Sequence, residues 1–149
     1  KPHMKSLRER LLQEIVTRLM PLATAEGAQI KRSPTTGISR DASPALLIFP
    51  EAESIAQRAN DRIERHLVVR LVAMARETNG EAAEAIADRL QVAAHAALFA
   101  DANFGGLCLG LQELDSEWDV EDADATAAAM PARYQFTYRT LVHDLTAQG

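Results

Sequence analysis

Between Asp115 and Asp124 the chain places six carboxylates within ten residues: Asp115, Glu117, Asp119, Glu121, Asp122 and Asp124. Oxygens clustered in this way suit a hard cation, and paired carboxylates suit acid–base hydrolysis. The spacing does not fit a helix–loop–helix calcium site. Counted from Asp115, the sixth place, which needs glycine, holds Val120, and the twelfth, which needs glutamate, holds Thr126. A charged connection between two strands accounts for the same residues, with Trp118 as an anchor that pins it. A small metal-dependent hydrolase using Asp115–Asp124 stays open as the alternative.

Other chemistry is poorly supplied. His3, His66, His95 and His143 are scattered, without a histidine pair at helical spacing, and Cys108 has no cysteine partner. His143 and Asp144 are adjacent, but neighbours in sequence make no triad without a placed nucleophile. His95 falls on the polar stripe of its helix, where a solvated side chain is expected. No phosphate-loop, dinucleotide or nucleophile-elbow motif occurs, and "NFGGLCLG" opens no helix. The expected cofactor is none and the expected enzyme activity is none.

A net charge of −5 disfavours a general nucleic-acid binder, which needs a surplus of Lys and Arg on some face. A nucleic-acid module is therefore a third rival, recognisable by steeply salt-dependent binding. A single cysteine forms no internal disulfide, so the fold is compatible with a reducing compartment. No apolar run approaches the roughly 20 residues that span a bilayer. The opening "KPHM" reads as a tag remnant over residues 1–3, ahead of one domain from Met4 to Gly149.

The elements that must position these residues follow from hydrophobic period. "SLRERLLQEIVTRLM" begins with Ser6 and Glu9 at capping-box spacing and predicts an amphipathic helix closed by Pro21 and Gly27. Ala28–Arg32 and "ALLIF" predict short strands. Ser33–Pro44 predicts a mobile loop, and Pro50–Arg62 a polar projecting connection. In "IERHLVVRLVAMA", Leu67, Val69, Leu71 and Ala73 alternate with His66, Val68, Arg70 and Val72, which predicts a long strand with one mixed face. The next helix buries Ala82, Ile86, Leu90, Ala93 and Ala97, with Glu81, Glu84, Asp88, Gln91 and His95 opposite. "GLCLGLQEL" alternates Leu107, Leu109 and Leu111 against Cys108, Gly110 and Gln112. "ARYQFTYRT" buries Tyr134, Phe136 and Tyr138. The order is α-β-β-β-α-β-β: an α+β fold with a mainly antiparallel sheet of about five strands and two helices on one face.

This succession, "SLRERLLQEIVTRL", a short apolar strand before a polar excursion, "RHLVVRLVAMA", an Ala/Glu helix and two strands ending "ARYQFTYRT", resembles the phage tail terminator or tail-completion proteins from Met4 onward. The resemblance implies a structural protein that caps a finished tail tube as a hexameric ring. It would end tube polymerisation and present a surface to the head-side connector. It implies partners in the tube protein and the connector, a place in the virion tail, and assembly in the cytoplasm of a host bacterium. It implies no catalysis, membrane or sequence-specific nucleic acid. Another head–tail neck or joining protein has the same texture. Tube or connector contacts are expected at Thr35, Thr36, Arg40, Asp41, Glu51, Glu53 and Arg58. Ring contacts are expected where Arg70, Arg133 and Arg139 meet a neighbour's Asp119, Glu121 and Asp122.

Overall fold

The computed structural model describes residues 5–34, 43–116 and 127–149. Its elements are α1 (Leu7–Glu26), β1 (Gln29–Arg32), β2 (Ala45–Ala59), β3 (Arg62–Arg76), α2 (Ala83–Phe99), a 3₁₀ turn (Phe104–Gly106), β4 (Gly110–Ser116), β5 (Ala127–Leu141) and β6 (Asp144–Gln148). This is the expected α+β order with a short sixth strand added. The sheet runs β1-β2-β3-β5-β4, with β6 pairing to β5. All pairings are antiparallel except β1 with β2. Both helices pack on one face.

Helix α1 starts as its sequence dictates: Ser6 Oγ accepts the Glu9 amide at 3.0 Å. Pro21 does not close it. The helix continues to Glu26 and ends at Gly27, whose φ of 69° reverses the chain while the Ala28 amide bonds Ala23 O at 2.7 Å. A proline so near the end removes one amide donor but not the packing of Leu11, Ile15, Leu19 and Ala23, which holds the last turns in place.

The core is the helix-facing side of the sheet. Leu67, Val69, Leu71 and Ala73 of β3 and Tyr134, Phe136 and Tyr138 of β5 are buried there, as alternation predicts. Each large side chain so buried contributes about 1.5–3 kcal/mol. Strands β3 and β5 pair without a slip over fifteen residues, from Arg62↔Leu141 to Arg76↔Ala127. The alanine-rich run before "RYQFTYR" is thus already strand. Its small side chains let α2 lie close.

Three further expectations are corrected. Pro50–Arg62 is no loop, because β2 carries on to Ala59 and turns at Asn60 (φ 59°) directly into β3. In α2 the buried stripe runs Ala83, Ile86, Ala87, Leu90, Ala94 and Leu98, a few tens of degrees from the one expected through Ala82, Ala93 and Ala97. Strand β4 begins only at Gly110. The 3₁₀ turn before it breaks the alternation, so Cys108 is buried and Leu109 faces out.

Candidate functional site

No group of three or more His, Cys, Asp or Glu side chains among the described residues is arranged to hold a metal ion. Of the acidic stretch, Asp115 and Ser116 lie in β4, and Glu117–Asp124 lie outside the described residues. Cys108 donates its thiol to Ala102 O at 3.1 Å, and burial pushes its pKa up to about 11, which keeps it a thiol at neutral pH. His95 is not solvated as expected. Its Nδ1 lies 2.9 Å from the Tyr134 hydroxyl, and its ring sits 4.7 Å from that of Phe99. Burial, with the Glu113 carboxylate adding to it, pushes the Tyr134 hydroxyl up to about 12.

Two polar constellations organise the sheet, one on each face, and both depend on bulges. Register shifts between Pro50 and Ala52 and between Ile55 and Gln57 each insert a residue into β2. After the first shift Glu53, opposite Leu67, points to the helix side. There it receives Arg8 at 3.0 Å, Arg65 at 3.2 Å and the Tyr138 hydroxyl, while Arg65 Nε also reaches Thr140 Oγ1 at 3.0 Å. Burial first, and then Glu53, raises the Tyr138 pKa.

The open face carries a row across four strands. Arg70 and Arg133 stand directly opposite in the register of β3 and β5, a like-charge pair that is destabilising alone. Acids at both ends answer them. Glu51 of β2 lies 3.2 Å from Arg133 and 3.9 Å from Arg70. Asp115 of β4 takes Arg133 Nε and Nη2 at 2.9 and 2.8 Å, which holds its carboxyl below the ordinary aspartate range. Both acids sit at register shifts, where the strand re-aims a side chain. The Arg70 guanidinium lies 4.6 Å over the Phe49 ring, and its buried Nε has no hydrogen-bond partner.

Arg70 and Arg133 of the expected ring contacts are therefore brought together, each with an acid of its own chain. Arg139 is exposed, opposite Glu64 at the hairpin end of the sheet, where it borders an open polar hollow with Gln57, Asn60, Asp61 and Arg62. Of the expected tube contacts, Arg58 is exposed near the hairpin turn, while Glu51 and Glu53 have intrachain partners. Thr35, Thr36, Arg40, Asp41, Asp119, Glu121 and Asp122 lie outside the described residues. Reasoning from sequence passed over the exposed apolar side chains Met20, Val92, Phe99 and Leu109. Only a helical wheel with the correct stripe on α2 would have isolated Val92 and Phe99.

No family model matches this sequence, and no curated protein matches it either. Among solved structures, the chain is similar to one in the virion of a native gene transfer agent particle. The TM-score is 0.50 at 15% identity, covering 83% of this chain and 90% of that one. At such identity the likeness is one of fold.

Proposed function

We propose that this chain is a structural component of a phage-like particle, and specifically a tail terminator. In this proposal copies close as a six-membered ring on the tail tube, stop its growth and present a joint to the head-side connector. The observation that carries the proposal is the fold shared, over most of both chains, with a subunit of a gene transfer agent virion. The element order that resembles tail terminators supports the finer role, as does a polar sheet face whose charges pair with one another rather than converge on a substrate.

A cap needs one surface for the tube and must not offer a second copy of the tube's own end. The β2–β3 hairpin suits the first task. It is a stiff end of the sheet, backed along its whole length by β5, and its distal β2 residues, Ser54–Ala59, are exposed. Arg58 near its end is the described candidate for docking, together with Thr35, Thr36, Arg40 and Asp41, which lie outside the described residues; Arg139 stays a candidate for ring contact. Assembly would take place in the host cytoplasm and leave the protein in the virion tail, without an enzymatic role. Co-expression with the tail-tube subunit tests the proposal. Tubes of one narrow length, each with this protein at one end, are the expected result; unrestrained tube growth would refute it.

A further inference from the structure

We infer that copies of this chain join head to tail, with the α2–β4 flank of one against the α1–β1 flank of the next, a contact that rests on the ring proposed above. The two flanks lie at opposite edges of one sheet, because β1 and β4 end the strand order. Among the described residues, neither outer edge has a strand partner, a condition that single chains avoid unless the edge is short, charged or covered.

The α2–β4 flank is apolar with an acidic border. On α2, the side turned from α1 is marked by His95, which reaches Tyr134 next to β4, whereas Arg89 on the other side bonds Glu26 of α1. Phe99 lies on that outer side at 37% exposure, Val92, 62% exposed, stands midway between His95 and Arg89, and Leu109, just ahead of β4, is 53% exposed. Glu84, Asp88 and Glu113 are exposed around them, and the nearest described cations, Arg89 and Arg133, are each held by carboxylates of their own chain. Large apolar groups exposed on a surface bordered by acids mark a contact region.

The α1–β1 flank has the opposite sign. Glu9 bonds Arg32 of β1 at 2.7 and 3.0 Å, which fixes the side of α1 that overlooks β1, and Met20, 50% exposed, lies on that side three turns on. Lys5, bonded to Gln13 on the same side, and exposed Lys31 bring the flank, among the described residues, to three cations against one anion. An acidic flank repels its own copy, so a two-fold contact of like flanks is disfavoured. Acidic against basic gives a heterologous contact, the type that closes into rings.

Charge reversal tests this on the full-length chain. Glu84→Lys with Glu113→Lys gives a chain with two basic flanks; Lys5→Glu with Lys31→Glu gives one with two acidic flanks. Sedimentation velocity should show the wild type assembling, each reversed chain monomeric with wild-type circular dichroism, and an equimolar mixture of the two assembling again. Zero-length carbodiimide cross-linking of mixed heavy and light wild-type chains should join Lys5 or Lys31 to Glu84, Asp88 or Glu113 of another copy. Leu109→Glu serves where a reversed chain fails to fold, with a loss of about tenfold or more in association. A wild type that stays monomeric at millimolar concentration overturns the contact, as does a reversed chain that assembles alone or a mixture that does not. Tube-length assays separate the two ideas. If the reversed chains cap tubes as well as wild type, the contact fails and capping stands; if the wild type assembles through these flanks without limiting tubes, capping fails and the contact stands.

Discussion

Replacing Glu53 by alanine should destabilise the fold far more than its place on a polar, surface-looking stretch of sequence suggests. Its carboxylate is 13% exposed and receives Arg65, itself 12% exposed, together with Arg8 and the Tyr138 hydroxyl. Removing one partner of a fully buried pair costs roughly 3–5 kcal/mol, and an exposed pair contributes about 0–1 kcal/mol. Arg8 is 41% exposed and Arg65 keeps Thr140, so the loss falls between these limits, at about 2–3 kcal/mol. Equilibrium urea denaturation with an unchanged slope would measure it, and the thermal midpoint should drop by roughly 5–10 °C for a chain of this size. Glu51→Ala is the control, because that carboxylate is 28% exposed on the open face and its loss should cost less than about 1 kcal/mol. Tyr138→Phe should cost about 1 kcal/mol and couple to Glu53→Ala in a double-mutant cycle. Equal losses from Glu51→Ala and Glu53→Ala would refute the assignment of Glu53 to the interior.

Acid should weaken the open-face row. Asp115 has its folded pKa lowered chiefly by its hydrogen bonds from Arg133, so its contribution is complete above the unfolded aspartate value and is lost as pH falls through the lower folded value. Asp115→Asn should flatten that part of a thermal-midpoint profile between pH 7 and 3. Cys108 should resist a thiol reagent at pH 8 in the native chain and react fully in denaturant, since its thiol is buried with a pKa of about 11. Tyr134→Phe, which removes the hydroxyl bonded to His95, should cost about 0.5–1.5 kcal/mol in urea denaturation.

Period alone carried the fold class: two helices and the long alternating strands follow from where Leu, Val and the aromatics recur, and the aromatic face of β5 is buried residue for residue as its alternation predicts. What period could not carry was each place where a residue is inserted. The bulges in β2 switch which side chains face the helices, so Glu53 turns inward while Glu51 stays out with Arg70 and Arg133. The bulge between Glu113 and Asp115 does the same in β4. Prolines misled in two directions. Pro50 signals a strand end although β2 passes through it, and Pro21 a helix end although packing holds a further turn. The apolar flank was invisible because α2 is rich in alanine. A stripe drawn through alanines can be rotated by a residue without changing its texture, and that rotation decides whether Val92 and Phe99 face the core or the outside.

Electron cryomicroscopy of tail tubes polymerised with and without this protein would show whether it caps them. A single six-fold ring of the protein seated at one end of each tube is expected, with tubes of uniform length in its presence and longer, uneven ones in its absence. Density for the protein distributed along the tube wall, or bare ends on tubes of unchanged length, would contradict it.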